Sequence, residues 1–184
     1  MWRYMMAALL ASAPLGAASA QPDTADGWAL AAMANGCMLQ AVSPKGTMLS
    51  IWAFAGEEKL GFLLQNRGWE VEDGKKTPLQ VEFQGARAWP VEATARANID
   101  ADGPGLFFTV EPGGRASFLS AFTSAEGMSI RREGSDVDTM PLAGSRGAIA
   151  SLAQCLADRW NEASPPAAEP KEAAPGAEPV AAAI

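Results

Sequence analysis

The stretch Asn98-Ile99-Asp100-Ala101-Asp102-Gly103 has the residue types that open a calcium loop. Oxygen ligands at its first, third and fifth positions, with glycine at the sixth, can wrap a hard cation. Thr109 stands where the bidentate carboxylate belongs, Glu111 falls too late, and Pro104 stiffens the point where a backbone carbonyl should turn inward. Aspartate, asparagine and glycine dominate ordinary turns, so a turn is the expected structure and no metal or cofactor is assigned. The chain has no histidine. The commonest general base and the commonest transition-metal ligand are therefore missing. Met33, Met38, Met48, Met128 and Met140 form no Met-x-x-Met cluster that would hold Cu(I). Each lies in an apolar strand pattern and is expected to pack.

Nucleophilic chemistry has as little support. Gly144-Ser145-Arg146-Gly147 is not a Gly-x-Ser-x-Gly elbow, and Ser145 suits the cap of a following helix. Glu57 with Glu58, or Glu70 with Glu72, offers the paired acids of a glycosidase, but adjacent loop acids and alternating strand acids are ordinary solvated charges. No catalytic residue is assigned. Aromatic residues are the better candidates for recognition. Trp28, Trp52 and Trp160 follow the inward register of their elements and are expected in the core. Trp69 and Trp89 flank polar turns and are the candidate binding residues.

The elements that would position these groups begin beyond residue 20. Residues 1–20 read as a secretory signal: Arg3 supplies the positive charge, Met5 to Leu10 begin an apolar core, and Ala18-Ser19-Ala20 fits the cleavage rule. The expected location is periplasmic or secreted. In an oxidising compartment two cysteines favour one bridge, Cys37–Cys155, closing nearly the whole domain. The net charge of −7, with no basic patch, has the wrong sign for nucleic acid, and no later segment is long and apolar enough to span a membrane.

Residues 21–26 read as a flexible leader, 27–160 as a single globular domain, and 161–184 as an Ala/Pro/Glu-rich tail whose composition predicts disorder. The expected fold is mainly β: a β-sandwich or partly closed barrel of short antiparallel strands, with one short helix and a C-terminal helix packed on the sheet. Asn35-Gly36 signals a hairpin turn between Trp28–Met33 and Cys37–Val42. Thr47–Phe54 is apolar on both alternating faces, which predicts a central strand covered on both sides. Leu79–Gln84 alternates cleanly. Pro90 predicts an edge strand over Trp89–Ala95. Phe118, Leu119 and Phe122 have helical spacing, with Gly127 as a stop. Ile149, Leu152, Ala153, Leu156 and Trp160 form one helical stripe, with Cys155 on its flank.

Trp28 near the mature start, Cys37-Met38-Leu39-Gln40 soon after, and Pro141-Leu142-Ala143-Gly144-Ser145 leading into an Ala-rich helix together resemble exported proteins of the invasion-associated locus B type. The resemblance covers most of residues 27–157. It implies an envelope protein and carries over no functional residue. The expected function is a non-enzymatic protein-binding or accessory module whose partner is another envelope or extracellular protein. The alternatives are a small-ligand binder or hydrolase with a site at one end of the β domain, using Trp69 or Trp89, and a structural envelope protein with the tail as spacer.

Overall fold

Apolar side chains at every second position build ten antiparallel strands, which join into one continuous sheet. The computed structural model describes residues 24–163 apart from 26, 86, 87 and 101. Residues 1–23, which hold the expected secretory signal and the start of the expected leader, and residues 164–184 of the expected tail lie outside the described residues. In chain order the elements are β1 (Thr24–Ala25), β2 (Trp28–Ala32), β3 (Gly36–Val42), β4 (Met48–Phe54), β5 (Leu60–Gln65), β6 (Lys76–Phe83), β7 (Trp89–Asp100), β8 (Gly103–Val110), α1 (Pro112–Ser124), β9 (Gly127–Arg132), β10 (Ser135–Pro141) and α2 (Ser145–Ala163). The spatial order is β1-β2-β3-β4-β5-β8-β7-β6-β9-β10. The sheet curls into a half-barrel, so of the two expected architectures the partly closed barrel is the one formed.

The concave face holds the core. Register aligns Leu39, Ile51, Phe62 and Phe108 across β3, β4, β5 and β8 and Leu106 with Ala95 of β7, and all six are buried. Helix α1 drops Phe118 and Phe122 into this trough. Phe118 meets Phe62, Phe83 and Trp89 edge-on at 5.2, 5.1 and 5.5 Å, and Phe122 meets Trp28 at 5.6 Å. Edge-to-face contacts of this kind are favourable beyond their area. The Trp28 indole N–H also donates to the Ala143 carbonyl at 2.9 Å, joining β2 to the approach of α2. Helix α2 lies on β2, β3 and β4, and the Cys37–Cys155 disulfide bonds it to β3 across 118 positions of sequence.

Several local expectations change. The turn between β2 and β3 is Ala34-Asn35, since Met33 donates to the Gly36 carbonyl and Ala32 pairs with Cys37. Gly36 lies in the strand, where a Cβ would overlap the Ala53 carbonyl oxygen, so close approach of β4 explains this glycine. β7 is an interior strand between β6 and β8, not an edge. Pro90 is tolerated because β8 has ended at its level, so no neighbour there asks for its missing N–H. Asn98–Gly103 belongs to the β7–β8 hairpin, with Asp102 3.3 Å from Arg67. Helix α1 stops at Ser124, ahead of Gly127, which begins β9. Ser145 does not act as expected: its hydroxyl donates to the Phe122 carbonyl of α1, and the Gly144 carbonyl accepts from Ala148 to start α2.

The stripe of α2 is also narrower than expected. Ala148 and Leu152 are buried, Ile149, Cys155 and Leu156 pack beside them, and Ala153 is exposed. Trp160 is 54% exposed, not in the core. The disulfide sets the rotation of the helix, which then overshoots the rim of the sheet. There the edge of the Trp160 ring lies close to Gly56, in the turn between β4 and β5.

A buried polar latch closes the curl. Val137 is the extra residue of a bulge in β10, so Asp136 points outward to Arg131 and Asp138 inward beside Ile130. Asp138 is buried and accepts from the Ser43 hydroxyl at 2.6 Å and from the Thr139 amide at 2.6 Å. Ser43 in turn accepts from the Lys45 and Thr47 amides. The last strand is thereby tied to the β3–β4 turn on the opposite limb. Ser43→Ala should lower the unfolding free energy by about 1.5–3 kcal/mol, since it strips a buried carboxylate of a charge-assisted donor. Urea melts check this, and a double-mutant cycle with Asp138→Ala should show strong coupling.

Candidate docking face

Two regions can be built from the residues upward. The first is the mouth of the half-barrel, crossed by the β5–β6 loop. Asn66 shapes that loop: its side-chain oxygen accepts from the Gly68 amide at 2.8 Å, and its amide donates to the Thr47 hydroxyl at 3.0 Å. Trp69 and Val71 then fold onto the core. Adjoining clefts of about 270 and 430 Å³ open between this loop and the β9–β10 hairpin, sharing Glu70, Leu106 and Arg132 in their walls. Trp69 lines one of them. Glu72, which borders the other, pairs with Lys75 at 3.4 Å. Their walls mix both signs of charge around Leu106, unlike the apolar lining usual for small-ligand sites.

Trp89 sits elsewhere, pairing with Val81 and packing on Phe118. Along β7 it is about 20 Å from Ala95, the strand's contribution to the cleft wall. The structure therefore does not bring Trp69 and Trp89 together. Glu57 and Glu58 lie exposed in the β4–β5 turn, where the Glu58 carbonyl accepts from Arg115 at 2.9 Å.

The second region is the convex face. Side chains alternate across a strand, so each strand that sends one set of residues into the core sends the other set outward. On β6, β7, β9 and β10 the outward set is polar: Lys76 pairs with Glu92 at 3.1 Å, and Arg131 with both Glu82 and Asp136. On β3, β4, β5 and β8 it carries no charge but is mixed: Met38, Val42, Met48, Trp52, Phe54, Leu63 and Phe107 stand beside Gln40, Ser50, Gln65 and Thr109, and the Gln40 amide donates to the Ser50 hydroxyl at 3.1 Å. Register sets Met38, Trp52 and Gly61 in one row and Val42, Met48, Gln65 and Gly105 in another. No protein-family model, no curated protein and no solved structure matches this chain, so the geometry alone speaks for the site.

That geometry is a pair of stacked aromatic rings on the convex face. The Trp52 indole lies across Gly61, where a Cβ would overlap its ring. It stacks on Phe107 of β8 with centroids 5.7 Å apart and planes 12° from parallel. Leu63 is buried beneath, outside the main core cluster. Gly105 leaves room for Leu63 and Ile99 to meet. Around these rings, Met38, Met48 and Phe54 are half-buried, Ile99 is 37% exposed and Val42 61%. The two helices, whose Phe118, Phe122, Ala148 and Leu152 join the main core, pack on the other face.

Trp52 is thus not a core residue. The outward set of β4 was readable as the second apolar face of Thr47–Phe54, but it was assigned to cover by the protein's own elements. The described helices both lie on the concave side. Met38 and Met48 share the outer face, whereas Met128 and Met140 are fully in the core. Gly61→Val should displace the Trp52 indole. The expected result is a changed near-ultraviolet circular dichroism spectrum and a loss of about 1–3 kcal/mol in a denaturant melt.

Proposed function

We propose that this protein is an exported, non-enzymatic accessory module that holds another envelope or extracellular protein against the outer face of β3, β4, β5 and β8. One observation carries the reading: half of the convex face is paired and charged, while the other half carries no charge and sets half-buried Met48, Trp52, Phe54 and Phe107 and exposed Val42 and Ile99 around Gln40, Ser50 and Gln65. Contiguous apolar surface on a folded domain marks interaction sites, and aromatic and methionine side chains are enriched in the centres of interfaces. The disulfide and the signal-like N-terminus support an oxidising, extracytoplasmic setting. The resemblance to the invasion-associated locus B type agrees with an envelope role.

The test is chemical cross-linking in intact cells. The wild-type protein should yield a discrete cross-linked envelope partner. Trp52→Ser combined with Val42→Asp should lower that yield by about tenfold, the loss expected when an aromatic anchor is removed, provided the far-ultraviolet spectrum is unchanged. Trp69→Ser should leave it intact. Equal capture by the outer-face variant, or no partner at all, overturns the reading.

A further inference from the structure

We propose that Met48 is a redox modification site on the convex face. An oxidant of the hydroperoxide class converts its thioether to the sulfoxide, and the modified face releases its partner. The release rests on the reading of that face as a docking surface, whereas the modification does not. The first observation is which sulfur atoms an oxidant can reach. The chain's two cysteines are joined in the disulfide, leaving no free thiol. Met128 and Met140 are sealed in the core at 1% and 0% exposure. Met33, Met38 and Met48 are half-buried, so the accessible sulfur of the described residues is thioether.

The second is a hydrogen-bond donor at one of these three. The Gln40 amide of β3 donates to the Met48 sulfur at 3.4 Å and to the buried Ser50 hydroxyl at 3.1 Å. The bond to Ser50 fixes the direction of the other, since one nitrogen supplies both hydrogens. Among the described residues neither Met33 nor Met38 has a side-chain hydrogen bond. A thioether is a weak acceptor, while sulfoxide is polar and chiral. In the step, a sulfur lone pair attacks one oxygen of hydrogen peroxide and the O–O bond breaks. Sulfur is oxidised by two electrons, and the departing hydroxide takes the proton of the transferred oxygen and leaves as water. The oxygen bonding to sulfur gains negative character, and the flexible methionine chain lets it settle against the Gln40 amide. That amide therefore favours oxidation at Met48, from one side of the sulfur.

The third is place. Met48 pairs with Val42, which is 61% exposed, and with Gln65. It belongs to the uncharged half of the convex face that also carries Trp52 and Phe107. A sulfoxide there sets a polar group among the apolar side chains of the docking surface, the change that disrupts methionine-bearing interfaces.

The experiment treats the whole purified chain with hydrogen peroxide and follows each methionine by peptide mapping. Met48 should gain an oxygen ahead of Met38 and Met33, with Met128 and Met140 unmodified while the near-ultraviolet spectrum stays native. The two epimer-specific sulfoxide reductases should reveal one Met48 epimer in about fivefold excess, the scale of one hydrogen bond. Gln40→Leu, and Gln40→Glu, which keeps the shape but loses the donors, should abolish both the lead and the excess. Equal epimers, or a Met48 rate unmoved by both variants, overturn the proposal. In cells the release is read within each variant as partner cross-linked with peroxide relative to without. The wild-type ratio should fall about fivefold. Met48→Leu, which has no sulfur there, should hold its ratio near one, and Met38→Leu should fall like the wild type. A Met48→Leu ratio that falls with the wild type, or a wild-type ratio unchanged once Met48 is fully oxidised, removes the release and leaves the docking face standing. The expected mapping with no partner captured before peroxide removes the docking function and leaves the modification site standing.

Discussion

Phe118→Ala should cost about 3–5 kcal/mol of stability, the range for deleting a fully buried aromatic ring. Phe118 has no accessible surface and sits where the rings of Phe62, Phe83 and Trp89 converge on it from three strands. The backbone of α1 is held between the sheet and α2, so the site cannot collapse around an alanine. A loss of that size is a large share of the roughly 5–15 kcal/mol by which a domain is stable. Thermal unfolding should fall by about 6–20 °C at this chain length. Phe118→Leu, which refills most of the space, should recover more than half of the loss. A shift under about 1 kcal/mol for the alanine variant would show that α1 does not seal the trough.

Removing the disulfide is the second large effect. Cys37→Ala with Cys155→Ala should cost about 2–4 kcal/mol, below the roughly 5 kcal/mol that chain entropy assigns to a loop this long. The expected damage is local first. Helix α2 touches the sheet through a short line of residues, Ala148, Leu152 and Leu156, and it overshoots the rim with Trp160 in solvent. Amide exchange should accelerate over Ser145–Ala163 before it does over β4, β5 and β8. The purified protein should react with no thiol reagent until it is reduced. Two reactive thiols in the native protein would contradict the bond, and unchanged exchange in α2 would contradict its role as the tether.

The strands were legible because alternation is local. Leu79, Val81 and Phe83 announce an inward face from sequence spacing alone, and they are buried. The bridge was legible because only two cysteines are present, so no pairing had to be chosen. Pro90 and Gly36 were misread for a common reason. Each was interpreted from its own residue type, Pro90 by its missing N–H and Gly36 as a turn former, whereas the deciding factor was a neighbouring strand: β8 ending at one, β4 pressing close to the other. Trp160 was misread because helical periodicity gives the stripe but not where the sheet beneath it stops.

The candidate face shows the same division more sharply. Trp52 and Met48 were visible as an apolar set on a doubly apolar strand. Whether the second side is covered depends on where α1 and α2 lie, and that is a property of the whole assembly. Trp69 and Trp89, singled out for their polar flanks, fold onto the core at separate places because the β5–β6 loop and α1 bring core surface to them.

By itself, then, the chain's order of residues determined the strand-rich body, its two helices and the single sulfur bridge, since period, composition and cysteine number are properties of short stretches or simple counts. Only the tertiary structure decided that the sheet curls once instead of stacking twice, that both helices fill its concave side, and that the aromatic set of β4 and β8 is left outward. Those outcomes depend on contacts between residues far apart in the chain. Ser43 with Asp138, and Gly61 beneath Trp52, acquire their meaning only when folding brings them together.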